Sequence, residues 1–395
     1  MDTESRIALA SWCKHRHSLP NSSIARLLKV DVSSVSRYLS QAEKLGWVVP
    51  RYDLKLPAQL EEVAQNFTRD IPLEERLYKS LQETCDASGN PLKLRSEGLV
   101  VVKSARFALE STKKAKVSPL DLIAIEGARI LVDLLNVHKK EMTTLGIAWG
   151  RSTHRVVSSL KDHYPDFRSE NVQIVPLQGG MGLPSAQADN AEFYPDILGQ
   201  QLQGILKSAK SPLRLCLPAF IKNQGEMDVS DEGLRAIIQF VTNDSSYKSV
   251  SKAYESLDLG LVGIGGLEEN NWALESGYLS SESEVQELKN AHVCGDIVCR
   301  FFRDAVEDPE EPSEGFAPQV RDDQSLLFRT NRRAIGISLQ RLRDRVEHNA
   351  RIIAVAGGGA GAKASAIHAA ILNGYITDCV TDEITASRIL KLCSK

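Results

Sequence analysis

Two rhythms of apolar residues divide this chain of 395 residues. Near the amino terminus they recur every three or four positions. Residues 7–15 (IALASWCKH) read as a first helix, and Ile24, Leu27 and Leu28 define a second, short and amphipathic. Val35, Leu39, Ala42 and Leu45 share one face of a third helix, which suits burial against the second. Lys29, Val30 and Asp31 between them leave room only for a tight turn, with Asp31 as N-cap. From about Gly98 the rhythm changes, and short β-branched runs alternate with amphipathic helices. Runs at 99–102, 144–149, 172–177, 213–217, 259–264, 352–356 and 377–381 predict strands. Helices are predicted over 119–138, 151–162, 197–208, 231–241, 281–290, 339–345 and 362–373. Continuous apolar strands separated by helices mark a parallel sheet covered on both faces, an α/β, Rossmann-like domain.

The solvent face of the third helix carries Ser33, Ser34, Ser36, Arg37, Ser40, Gln41 and Lys44. Hydroxyls at the leading end and long hydrogen-bonding side chains behind them suit a helix-turn-helix, whose second helix enters the major groove by its first turns. An ordinary helical hairpin with a polar face is the plain alternative. Charge supports the first reading: residues 1–56 hold nine Lys/Arg against five Asp/Glu, a net +4, and the rest of the chain carries −7. A basic head on an acidic body fits a nucleic-acid module joined to a domain of another kind. Residues 47–56 predict a strand or wing weakened by Pro50, and Pro57 marks a boundary. Two helical stretches between 58 and 81 either dimerise or pack on their own domain. The expected organisation is a winged-helix-like DNA-binding domain over 1–56, a helical linker over 57–90 and an α/β domain over 91–395.

The seven cysteines form no CxxC pair and no cluster with histidine, so reduced thiols in a cytoplasm are expected. No apolar run matches a membrane span. No cofactor and no metal is expected.

In a parallel sheet, ligands bind beyond the carboxyl ends of the strands. Four such ends are rich in glycine: 149–153 (Trp-Gly-Arg-Ser-Thr), 178–182, 263–266 and 356–363. The first and last combine glycine with a cation, Arg151 or Lys363, where a helix is predicted to start, which favours an anionic small ligand. Taken singly, each loop is explained by tight strand-to-helix packing. None is a Walker A loop, and none is a clean dinucleotide fingerprint. Residues 295–302 read as one strand in which Asp296 and Arg300 either pair with each other or meet ligand. Asp382 and Glu383 read as helix-capping acids.

These landmarks, taken in order, resemble the SorC family of bacterial transcriptional regulators (the SorC/DeoR-type, sugar-binding group). IARLLKVDVSSVSRYLSQAEKLGWV is similar to that family's helix-turn-helix. LGIAWGRST, VPLQGGMG, LGLVGIGG, SGYLS, GDIVCRFF, RAIGISL, RIIAVAGG and VTDEITA are similar to its effector domain, so the likeness covers nearly the whole chain. It implies a homo-tetramer or dimer on double-stranded operator DNA. It also implies an effector domain of the sugar-phosphate isomerase/deaminase fold that senses a phosphorylated sugar. By motif position Gly150, Arg151, Ser152 and Thr153 face the phosphate with Lys363 beside them. Gln178, Gly179, Gly265, Asp296 and Arg300 lie near the sugar, and Ser33, Ser34, Ser36, Arg37 and Gln41 meet DNA. The connection over 304–333 is longer than the family's usual one. The rival reading, an isomerase or deaminase, lacks the Asp-Gly-His stretch expected after the 263–266 loop and has only Glu268 and Glu269 there. A third, a DNA-binding protein with a purely structural pocket, predicts operator binding that ignores every metabolite.

Overall fold

In the computed structural model the described residues are 2–15, 17, 19–48, 67–84, 91–104, 118–138, 142–181, 194–222, 231–267, 272–304, 325–358 and 361–394. Six β-branched runs form one sheet: β1 (Leu99–Val102), β2 (Thr143–Ile147), β3 (Val172–Pro176), β4 (Leu257–Val262), β8 (Arg351–Val355) and β9 (Asp378–Asp382). Their order is β1-β9-β8-β4-β2-β3, and every pair is parallel. Side chains of β1, β8 and β9 alternate between two cores. Leu99 and Val101 join one, with Ile352, Ala354 and Cys379, while Val100 and Val102 join the other, with Ile353, Val355 and Val380. Burial on both faces explains why these strands read as continuous apolar runs.

A second, antiparallel sheet holds β5 (Gly265–Gly266), β6 (Val293–Ile297) and β7 (Arg300–Arg303). Residues 295–302 are therefore a hairpin and not the single strand expected. Its two-residue turn, Val298-Cys299, has φ of 49° and 63°. That left-handed pair is the backbone a tight hairpin demands, and sequence rules look for Asn-Gly there. The run at 213–217 forms no strand either. Its groups bond to scattered partners: the Leu213 N–H to the Ile174 carbonyl, the Leu215 N–H to Asp196, and the Leu217 carbonyl to the Gly180 N–H.

Three helices form the amino-terminal head: α1 (Thr3–His15), α2 (Asn21–Leu28) and α3 (Val32–Lys44). Lys29 makes the turn with φ 54°, and Asp31 caps α3 by accepting from the Ser34 N–H. Leu45 lies just past α3 and is exposed, not on the buried face as its spacing suggested. Leu9, Trp12, Cys13 and Leu19 belong to the same buried cluster as Leu131, Leu135 and Leu160 of the body. Of the expected wing only Trp47, which is buried, and Val48 are described; Pro50, Pro57 and the first stretch of the linker up to residue 66 lie outside the described residues. The second stretch is helix Ile71–Gln82, whose Leu73, Leu77 and Leu81 enter the body's own core with Ile389.

The sheet's last strand also fixes the loop after β8. Asp382, almost wholly buried, accepts from the Ile384 and Thr385 N–H groups, from the Thr385 hydroxyl and from the Gly358 N–H. It caps helix Glu383–Cys393 as expected and pins the neighbouring glycine loop. Asp382→Ala leaves these donors unpaired. The expected cost is about 2–3 kcal/mol, measured as a lower urea midpoint at unchanged slope.

Candidate functional site

β2 ends at Ile147, and two residues later Trp149 and Gly150 turn the chain into helix Arg151–His163. Gly150 occupies the N-cap with φ 144°, a conformation that L side chains rarely adopt. Thr153 is fully buried, and its hydroxyl donates to the Gly150 carbonyl at 2.9 Å, so it shapes the loop. Ser152 is buried beside it. Arg151 points outward and makes no ion pair or hydrogen bond among the described residues. An uncommitted guanidinium at the positive end of a helix is a place for an anion.

From this loop a chain of contacts leads to Asp296. Trp149 meets Trp272 edge to face at 5.7 Å, and the Trp272 indole N–H donates to Asp296 at 3.1 Å. Trp272 in turn stacks on Tyr278 and Phe301 at 5.5 and 6.2 Å, which fixes its plane. Asp296 pairs across the small sheet with Gly265, where a Cβ would sit 2.0 Å from the carboxylate. Gly265 is thus required by the close approach of Asp296 itself. Lys363 stands at the N-cap of helix Ala364–Leu372, one position before the helix that was expected to include it. Its stem passes Gly266, and its charge acts on Asp296. Burial pushes the Asp296 carboxyl up to about 6, against the opposing pull of the Trp272 indole, Lys363 and the Cys299 N–H.

Gly150, Arg151, Ser152, Thr153, Gly265, Asp296 and Lys363 are therefore linked in one neighbourhood. Arg300 is not part of it, and it does not pair with Asp296. Its buried guanidinium spans the carbonyls of Ile337, Asn331 and Ala334 at 2.8, 2.9 and 3.2 Å, locking the hairpin to the 331–337 segment. The reason is register: Asp296 faces Phe301, while Arg300 faces Ile297. Gly179 packs against the Pro218 carbonyl so closely that a Cβ would come within 2.3 Å, which makes its role one of packing. Gln178 is buried and bridged to Gly336, and among the described residues its side-chain oxygen has no hydrogen-bond partner. Glu268 and Glu269 lie outside the described residues. Trp272 went unnoticed in the sequence; its only signal is that it is one of four tryptophans.

On the head, Ser33, Ser36, Arg37, Ser40, Gln41 and Lys44 are exposed along α3. Ser34 is not; it is buried beneath the capping carboxylate. Asp31 also accepts from both the Ser33 and the Ser34 hydroxyls, and these bonds hold its carboxyl well below the usual range. Arg37 donates to Ser34 at 2.8 Å. Among the described residues no helix is long and apolar enough to cross a membrane, and no group of side chains is arranged to hold a metal ion.

A family model described as "Putative sugar-binding domain" matches residues 101–305 and 324–391, passing over the long connection between them. The transcriptional regulator LsrR of Klebsiella pneumoniae is 30% identical over 160 residues, 40% of this chain and 42% of that protein. The sorbitol operon regulator of Klebsiella pneumoniae is 29% identical over 158 residues, 40% of this chain and 44% of that protein. This chain thus spans less than half the length of these curated relatives. The full-length structure of the Klebsiella pneumoniae sorbitol operon regulator SorC superposes over 97% of this chain and 98% of its own, with TM-score 0.54 and 21% identity. That likeness speaks for the fold.

Burial of Asp296 makes a pH prediction. Its folded value near 6 lies above the unfolded carboxylate range of about 4, so the folded state keeps a proton that the unfolded chain has released. This contribution to stability is full below about pH 4 and is lost as pH rises through about 6. Asp296→Asn keeps the shape and the Trp272 contact without the titration. It should gain stability over wild type across that window, levelling at about 2–3 kcal/mol near neutral pH. Urea unfolding of both proteins over a pH series measures the difference; a difference independent of pH would contradict the assignment.

Proposed function

This chain belongs to the sugar-binding-domain family, and with it to the SorC-type proteins, and on that footing we propose that it is a DNA-binding transcriptional regulator of carbohydrate utilisation. Its operator affinity is set by a phosphorylated sugar. The observation that carries the reading is the uncommitted Arg151, joined through Trp149 and Trp272 to Asp296 and Lys363. An anion at the helix start and hydroxyls at the carboxylate are the two ends of one sugar phosphate. The tryptophans give its C–H face an apolar wall.

The head supplies the other half of the proposal as a helix-turn-helix. Its tight turn, capped α3 and open face of Ser33, Ser36, Arg37 and Gln41 suit entry into the major groove. Two half-sites call for at least a dimer, and a tetramer also fits. The working place of such a protein is the cytoplasm. The ligand acts by binding and not by turnover, so that its preference between two arrangements of the protein sets operator affinity.

Thermal unfolding against a panel of sugar phosphates and their parent sugars tests this. A ligand at a hundredfold excess over its dissociation constant adds about 2.7 kcal/mol. One phosphosugar should stabilise wild type, its unphosphorylated parent should not, and Arg151→Ala should weaken the response at least tenfold in affinity. The same compound should then change binding to operator DNA. Stabilisation by a free sugar alone overturns the phosphate assignment, and operator binding indifferent to every compound favours the structural-pocket reading.

A further inference from the structure

The polar residues at the leading end of α3 are already occupied within the head. The Ser33 and Ser34 hydroxyls donate to Asp31, Arg37 donates to Ser34, and Ser36 donates to the Val32 carbonyl while accepting from Asn21. Val32, the first residue of the helix, is different. The residue is 48% exposed at the turn where the helix begins. Asp31, Val32 and Ser33 are all exposed, so the leading end of α3 is open.

Val32 is an apolar, β-branched side chain next to the capping Asp31, on a head whose Arg26, Lys29, Arg37 and Lys44 are exposed. It can bond neither to a phosphate nor to a base nitrogen or oxygen. Those cations suit a polyanion, and the major groove of duplex DNA presents one apolar group, the C5-methyl of thymine. We propose that Val32 reads a thymine methyl in each operator half-site. This assignment rests on the DNA-binding reading of the head and deepens it. A hydroxyl already donating to Asp31 must break that bond before it can donate to a base. An exposed valine loses only water, and so it discriminates by shape.

The test uses the full-length protein and a duplex that it has itself selected from random-sequence DNA. Each thymine is replaced in turn by deoxyuridine, which lacks only the methyl group, and binding is followed by fluorescence anisotropy. For wild type, one position per half-site should weaken binding about three- to tenfold, the scale of one buried methyl. Val32→Ala should bind thymine and deoxyuridine equally there and keep its discrimination elsewhere, with an unchanged salt dependence. Val32→Ile should retain the preference, which shows that the substituted helix is intact. The proposal is overturned if wild type tolerates deoxyuridine at every position, or if Val32→Ala keeps the methyl preference. Failure to bind any duplex in a salt-dependent manner removes the DNA-binding reading itself, a separate result.

Discussion

A parallel sheet places the carboxyl ends of all its strands on one side, and that constraint organises the rest of this protein. Each strand here must turn at that edge into a helix or loop whose first N–H groups have no partner of their own. The chain meets the demand in two ways. After β9 it supplies its own acceptor, Asp382, which closes the helix start and the adjacent glycine loop together. After β2 it supplies a glycine at the cap and no side-chain acceptor, with Arg151 left outward. The first arrangement completes itself; the second is open to an anion from outside.

The antiparallel hairpin beside that edge brings Asp296 to the site, at a cost in backbone strain. Val298 and Cys299 occupy left-handed conformations, and the turn is held by Arg300, whose guanidinium ties it to three carbonyls of the 331–337 segment. Arg300 therefore serves Asp296 from behind. It keeps the hairpin in the register that turns the carboxylate toward Gly265 and Trp272 and away from its own charge. An arginine paired with Asp296 would have lowered its pKa and kept it ionised. Lys363 acts on it only in part, and the carboxyl stays near 6.

What was legible in the sequence follows from how local its causes are. The parallel strands announce themselves because both faces are buried, and the strand runs and Pro119–Val137, Arg151–His163 and the capped α3 fall where periodicity and N-cap residues put them. The pairing of Asp296 with Arg300 was a misreading, because four residues of separation suggest a pair in a continuous element, while a hairpin turn sends them to different neighbours. The run at 213–217 has strand composition but bonds to scattered partners, a matter of tertiary position. Trp272 was invisible for the same reason, since what makes it part of the site is a contact with a loop more than a hundred residues earlier. Leu45 satisfied the helical period yet fell just past the last turn, where the period no longer applies.

Helix Arg151–His163 connects the two halves of the molecule. It opens at Gly150, where an anion would bind, and closes with His163 against the His15 carbonyl of the head, a span of about 20 Å at the rise of an α-helix. Val156, Val157 and Leu160 seat it in the same buried cluster that receives Leu9, Trp12 and Cys13. Close-packed cores resist gradual deformation, so a helix seated this way moves as a unit or not at all. A ligand that binds both of its positions equally changes nothing in the head, however tightly it binds; only a difference in affinity is passed on. Arg151 is suited to register such a difference, because its charge sits on the first turn of the element that would move.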